Sequence, residues 1–205
     1  MLPGLHLLPA RLIRRIIRPY RAIEGFLTEA EAVALYRAAN RLSPGATVVE
    51  IGSWKGKSTY CLARGLRAGG RVHVIDPFDA YGEPGSAEIY AREKSAEPLE
   101  AQFIANLAPV KSAIVVHRGY SRKFTDDFSR IDLLMIDGDH SVEGCRFDFV
   151  NFSPLIASGG WIAFHDYYPD RSDLGPTWVI DNLVKPSGHY TEYTQANSLW
   201  LARKI

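Results

Sequence analysis

Side chains able to move a proton or hold a metal cluster in two short stretches of this sequence. The first is Ile131-Asp132-Leu133-Leu134-Met135-Ile136-Asp137-Gly138-Asp139-His140-Ser141, an apolar run that ends in two acids and a histidine. The second is Trp161-Ile162-Ala163-Phe164-His165-Asp166, an apolar run that ends in a histidine and an acid. A histidine titrates near neutral pH and can take the proton of a hydroxyl, the task of a general base. Neighbouring carboxylates can orient it or bind a divalent cation. Polar groups at the ends of otherwise apolar strands are explained more economically by a site than by chance.

A third stretch, Val48-Val49-Glu50-Ile51-Gly52-Ser53-Trp54-Lys55-Gly56-Lys57-Ser58, runs from a buried strand through a glycine turn into a helix. In a doubly wound sheet, ligands bind at the carboxyl ends of the strands, where the first such turn approaches them. Gly52 lets backbone come close to a ligand, and Gly56 lets helix and strand pack tightly. Gly56-Lys57-Ser58 looks like the end of a phosphate-binding loop. That motif needs four residues between its glycines, however, and only Ser53, Trp54 and Lys55 intervene. The dinucleotide pattern G-x-G-x-x-G does not fit either. A glycine turn without a ligand is the plain alternative. Val72-His73-Val74-Ile75-Asp76 ends in another acid, placed either to bond ribose hydroxyls or to cap the following loop.

These groups need a scaffold. Apolar runs of strand length cover Thr47–Ile51, Arg71–Asp76, Ala113–His117, Ile131–Asp137 and Trp161–His165. Helical patterns lie between them at about 56–67, 96–107, 121–128, 142–153 and 174–184. Strands that are apolar throughout are buried on both faces, which predicts a parallel sheet covered by helices. Tyr190–Thr194 and Ser198–Ala202, separated by Gln195-Ala196-Asn197, read as a terminal hairpin. The expected fold is α/β, Rossmann-like and doubly wound, with a mostly parallel seven-stranded sheet and an antiparallel C-terminal hairpin. Parallel strands in register bring Asp137, Asp139, His140, His165 and Asp166 to one edge. The stretch 77–95, rich in Gly, Pro, Glu and Ser, reads as a long surface loop of the kind that covers sites.

The joint pattern resembles the class I S-adenosylmethionine-dependent methyltransferases over about residues 44–203. The carriers are E-x-G-x-x-x-G, Asp76, I-D-G-D-H-S and G-G-W-I-A-F-H-D. The last two are similar to small O-methyltransferases acting on catechols and macrolide sugars (macrocin-type), and to cephalosporin-hydroxylase-like proteins. The resemblance implies S-adenosyl-L-methionine as cofactor, a sulfonium without phosphates, which suits an acidic strand end and a neutral glycine turn. It places Glu50, Gly52, Ser53, Gly56, Ser58, Asp76, Gly119 and Asp137 along that cofactor. It makes His140 the general base beside Asp137. It also implies a divalent metal, Mg²⁺ or Mn²⁺, on Asp137, His165 and Asp166. His165 stands where many members have a carboxylate, which favours a softer ion or none. A helix cap is the plain alternative for His140. Trp54 and Tyr167-Tyr168 are candidates for the acceptor pocket, and Arg118-Gly119-Tyr120-Ser121 for the adenine side.

The implied reaction is O-methylation of a small-molecule or sugar hydroxyl. Two other readings stay open: a metal-dependent hydroxylase using the same cluster, and a non-catalytic nucleotide-binding module. The chain has 205 residues, 46% hydrophobic and 23% charged, with net charge +1. That balance supports a core of normal size and offers no basic excess for nucleic acid. Cys61 and Cys145 read as buried thiols in a reducing compartment, and no apolar run is long enough to span a membrane, so a cytoplasmic enzyme is expected. Residues 1–43 read as a helical extension ahead of a methyltransferase domain at 44–205. In the extension, Thr28 and Glu31 form a capping box. Residues 8–18 are amphipathic, with Leu8, Leu12, Ile13, Ile16 and Ile17 opposite Arg11, Arg14, Arg15 and Arg18. That helix packs either on the protein or on an anionic membrane surface. A homodimer is the expected assembly.

Overall fold

The computed structural model describes residues 8–80, 88, 92 and 96–205. In chain order its principal elements are α1 (Ala10–Ile16), α2 (Glu29–Asn40), β1 (Thr47–Ile51), α3 (Lys57–Gly65), β2 (Arg71–Asp76), α4 (Leu99–Leu107) and β3 (Ile114–Arg118). They continue with β4 (Ile131–Ile136), α5 (Val142–Phe152), β5 (Ile156–Phe164), α6 (Gly175–Val179), β6 (Tyr190–Ala196) and β7 (Leu199–Lys204). The strands form one seven-stranded sheet in the order β3-β2-β1-β4-β5-β7-β6. The first five run parallel, and β7 joins β5 antiparallel before turning into β6. Most of the surface loop expected at 77–95 lies outside the described residues.

The doubly apolar strands have the predicted cause. Side chains alternate across a strand. Val48, Val74, Leu133, Met135 and Ala163 share one buried cluster with α2, α3 and α4. Val49, Ile51, Ile75, Leu134, Ile136, Ile162 and Phe164 share the other, with residues of α5 and α6. Strand order reverses between β1 and β4, so their carboxyl ends open a crevice at the switch point.

Differences from the sequence reading have local reasons. β5 starts at Ile156, because Gly159 (φ +77°) and Gly160 read as a break yet are accommodated within the strand beside a register shift. The helix expected at 121–128 shrinks to a single 3-10 turn, Ser121–Lys123. Phe128 is instead buried beside the His73, His117 and Phe152 rings. The 174–184 helix turns from α into a π segment at Ile180–Val184. Residues 8–18 pack on the protein, with Ile13 and Ile17 buried in the α2–α3 cluster. Leu8 and Ile16 pack against the same cluster, while Leu12 of that apolar face stays 40% exposed. No helix among the described residues is long and apolar enough to cross a membrane.

Candidate active site

The carboxyl ends of β2, β1, β4 and β5 are sewn to one another in that order. Gly52 N–H donates to the Ile75 carbonyl (3.0 Å), Asp137 N–H to Ile51 (2.8 Å) and His165 N–H to Ile136 (3.2 Å). Gly52, at φ +83°, lies so close to β4 that a Cβ there would stand 2.1 Å from the Asp137 carbonyl oxygen. Only glycine fits. Above this junction opens a cavity of about 880 Å³, within the range of small-molecule sites. Gly52, Ser53, Ser58, Asp137, His140, His165 and Asp166 line it, as do Trp54 and Tyr168.

The polar centre combines two acids and two imidazoles. His140 Nε2 lies 3.2 Å from Asp166 Oδ2 and 3.8 Å from Asp137 Oδ1. His165 Nδ1 lies 3.4 Å from Asp137 Oδ1 and 3.3 Å from Asp166 Oδ2. The cap of α5 is supplied by Ser141, whose hydroxyl accepts from Gly144 N–H, and Asp139 accepts from Ser141 N–H. His140 is therefore released from capping and aimed at the carboxylates. Its backbone carbonyl is fixed by Gly175 N–H (2.7 Å). Asp166 holds its place at φ +58°, a left-handed backbone that costs energy for a non-glycine residue and is typical of sites. Burial opposes its charge, but bonds from His140 and His165 outweigh burial and hold its carboxyl far below the usual range. Burial likewise disfavours a charged His165. The facing Asp137, Asp166 and Glu31 outweigh it and push the imidazole well above its ordinary range.

Donor atoms of Asp137, His140 and Asp166 all lie within 4.8 Å of one another, close enough to hold one metal ion. The sequence reading had put His165 in that set. In the structure both histidines line the cavity, His165 lying between the acid pair and Glu31 and His140 Nε2 facing the same two acids.

The glycine turn is held from below. Asp76 accepts from Ser53 N–H (2.8 Å), Ser53 Oγ (3.0 Å), Trp54 N–H (3.1 Å) and Phe78 N–H (2.7 Å). Three of these donors bond Oδ2 and only Phe78 N–H bonds Oδ1, so Oδ1 keeps room to accept a further hydrogen bond. Asp76 thus clamps the loop, the capping role that the sequence offered beside ribose bonding. Glu50 is fully buried beneath the turn and accepts from Thr59 Oγ1 (2.5 Å). Burial, with the charges of Asp137 and Asp76, overrides its bonds from Ser58 and Thr59 and lifts its carboxyl to about 8. Gly56 starts α3 at φ +86°, against Leu107 and Phe103 as expected of a packing glycine, and Gly119 follows β3 at φ +147°. Neither lines the cavity. The lysines do not cradle an anion: buried Lys55 pairs with Glu24 (2.5 Å), and Lys57 donates to the Gly25 carbonyl (3.0 Å).

Sequence reasoning missed one wall. Gly25–Thr28 and Glu31 from the amino-terminal segment, with Asn197 and Ser198 from the hairpin turn, close the cavity. Asn197 Nδ2 donates to Thr28 Oγ1 (2.7 Å), and Ser198 N–H and Oγ donate to Glu31 Oε1 (3.0 and 2.8 Å). The capping box at Thr28 was the available signal, and it identified Glu31 only as a helix start.

A family model described as a methyltransferase domain matches residues 49–167, more than half of the chain. Among curated proteins, the uncharacterized protein y4gI of Sinorhizobium fredii is 22% identical over 162 residues, 77% of this chain. The match spans 17% of that much longer protein. Among solved structures, a Corynebacterium glutamicum protein superposes with TM-score 0.67 at 14% identity, covering 93% of this chain and 90% of that one. The O-methyltransferase TomG of Streptomyces achromogenes, involved in tomaymycin synthesis and solved with S-adenosylmethionine, superposes with TM-score 0.63 at 16% identity, covering 98% and 92%.

Proposed function

The chain belongs to the methyltransferase-domain family that its residues 49–167 match, and from that premise we propose that it transfers the methyl group of S-adenosylmethionine to a hydroxyl of a small molecule, with His140 as base. The observation that carries this reading is the cavity at the β1–β4 switch point, where a glycine turn meets His140 backed by Asp166 and Asp137. Family membership supports methyl transfer over the hydroxylase and the non-catalytic module.

In this reading the amino-acid end of the cofactor lies along Gly52, Ser53 and Ser58. Asp76 acts through the loop that it clamps. The acceptor enters between Trp54, Tyr168 and the Gly25–Thr28 wall. Its oxygen attacks the methyl carbon, the carbon–sulfur bond breaks and S-adenosylhomocysteine leaves. The His140 imidazole receives the hydroxyl proton, and the Asp166 and Asp137 carboxylates that face its Nε2 favour the cation that forms. Alignment of donor and acceptor supplies most of the acceleration. A sugar or another polyol is the acceptor class we favour, on the polar lining that His140, Asp166, Asn197 and Ser198 give the cavity. The buried free thiols of Cys61 and Cys145 support a reducing, cytoplasmic setting.

A second reading has its own observation, the mutual reach of Asp137, His140 and Asp166. Those three groups would hold a divalent cation, which would polarise the acceptor oxygen. His140 would then be a ligand.

The test is calorimetric titration with S-adenosylhomocysteine, followed by methyl transfer to a panel of hydroxylated acceptors. The expected results are micromolar binding and turnover that falls roughly 10²–10⁴-fold in His140→Ala with binding retained. No binding by folded protein refutes the reading. Turnover within about tenfold of wild type removes the base role. Turnover abolished by EDTA and restored by Mg²⁺ or Mn²⁺ selects the metal-bound form.

A further inference from the structure

A second groove, of about 410 Å³, lies apart from the cavity along the Ala30–Ala34–Arg37–Arg41 stripe of α2. α1, Trp161 of β5 and the β6–β7 hairpin form its other walls. Its composition is one-sided. Three arginines line it, and there is no carboxylate among its described lining residues. Arg14 is already paired with Glu29 at 2.5 Å. Arg41 lays its guanidinium over the Trp161 ring, 5.3 Å from the centroid. Arg37 has a fully buried Nε with no hydrogen-bond partner.

A buried guanidinium N–H without an acceptor is costly and calls for a partner. Stacking on an aromatic ring leaves the donor fork of an arginine rigid and ready for a planar or tetrahedral oxyanion. The small side chains of Ala30 and Ala34 leave the space open, while Val33, Leu201 and Trp161 make one side apolar. Nothing in the methyl-transfer chemistry uses these residues.

We propose that this groove binds an oxyanion, a phosphate or carboxylate, carried on a short apolar body. Arg37 and Arg41 hold the head, and Trp161 and Leu201 contact the body. The same head group could belong to a soluble metabolite or to an anionic lipid, and the assay separates the two.

The experiment titrates octyl phosphate below its micellar concentration, inorganic phosphate and octyltrimethylammonium into the full chain, read by calorimetry. Arg37→Gln, Arg41→Gln and the double variant are compared with Arg11→Gln, an exposed arginine outside the groove. Circular dichroism confirms folding of each. Octyl phosphate is expected to bind more tightly than inorganic phosphate, and the cationic amphiphile not at all. Each groove substitution is expected to weaken octyl phosphate roughly tenfold or more, and Arg11→Gln to leave it unchanged. Co-sedimentation with phosphatidic acid vesicles, but not phosphatidylcholine vesicles, that is lost in the double variant assigns the head group to a lipid. Soluble binding without co-sedimentation assigns it to a metabolite. No binding of octyl phosphate by wild type, or binding that survives in the double variant, overturns the proposal. A dimer that dissociates only in the double variant, without octyl phosphate binding, also overturns it, because the groove is then filled by a second copy.

Discussion

Replacing Glu31 by glutamine should cost about 3 kcal/mol, and two independent routes give that figure. The first counts donors. Glu31 is 1% exposed and has donors on both oxygens. Thr28 N–H and Oγ1 donate to Oε2 (both 2.7 Å), and Ser198 N–H and Oγ donate to Oε1 (3.0 and 2.8 Å). Glutamine offers one oxygen and one NH₂. Either hydroxyl can turn, but a backbone N–H cannot, so one buried N–H faces the amide hydrogens. That mismatch costs about 1–3 kcal/mol, and losing the negative charge 3.7 Å from the His165 imidazole adds to it. The second route is titration. Burial pushes the Glu31 carboxyl up, but His165 and the Thr28 bonds outweigh it and hold the group at about 2 against an ordinary 4.5. That gap corresponds to roughly 3 kcal/mol in favour of the ionised folded state. The carboxyl is depressed on folding, so its contribution is complete above about pH 5 and is lost as pH falls from about 4.5 to about 2. Urea unfolding at pH 7 should show the loss directly, and thermal melting should fall by about 6–12 °C. About 2 kcal/mol of the difference should be gone by pH 3. A loss below about 1 kcal/mol at pH 7, or a difference that ignores pH, would refute the argument.

Other perturbations have equally definite signs. Burial lifts the Asp148 carboxyl to about 7, only partly countered by the Ser121 hydroxyl. A carboxyl raised on folding costs stability as pH climbs from about 4 to 7, so Asp148→Asn should be more stable than wild type by about 1–3 kcal/mol at pH 8, the gain fading below pH 5 in denaturant titrations. Gly52→Ala drives a Cβ to 2.1 Å from the Asp137 carbonyl at a positive φ, and it should abolish S-adenosylhomocysteine binding and lower the melting temperature; binding retained at wild-type affinity contradicts the close approach. Asp76→Ala frees Ser53 and Trp54 N–H and should weaken S-adenosylhomocysteine in calorimetry roughly tenfold or more, whereas Asp76→Asn, which keeps one acceptor, should lose less.

The sheet was legible because its strands are apolar on both faces, a pattern that only a doubly covered parallel sheet produces. Asp137 and His165 were legible for the same reason, each being the first polar residue after a buried strand, and Asp166 follows His165 directly. The helix at 121–128 misled because Phe124 and Phe128 have helical spacing. In the structure Phe128 instead packs edge-on to His73, at 5.4 Å. β5 was read short because two glycines look like a turn when the strand they sit in is not yet known. Sequence order gives the strand end but not the reach of each side chain, so it did not show that His140 also meets Asp137 and Asp166 while His165 lies between that acid pair and Glu31.

The wall built from Thr28, Glu31, Asn197 and Ser198 was not legible, for a physical reason. Its contacts join residues 167 and 169 positions apart, with no periodicity or motif to announce them. Glu31 advertised one task, the capping box, and performs three: it starts α2, anchors the hairpin turn and faces His165. The family match ends at residue 167 and starts at 49, so this wall lies outside it on both sides. In the proposed reaction the matched segment supplies the glycine turn and the acid–histidine centre, and the unmatched ends form the wall along which the acceptor is proposed to enter. Acceptor choice should therefore follow exchanges at Gly25–Thr28 and Asn197–Ser198, while cofactor affinity follows exchanges at Gly52, Ser53 and Asp76. Chimeras that swap only the two ends with a relative should change the preferred acceptor and leave S-adenosylhomocysteine affinity within about threefold, well inside the roughly tenfold effect of a lost charged hydrogen bond. Acceptor preference that instead tracks the 49–167 segment would show that the wall merely closes the cavity.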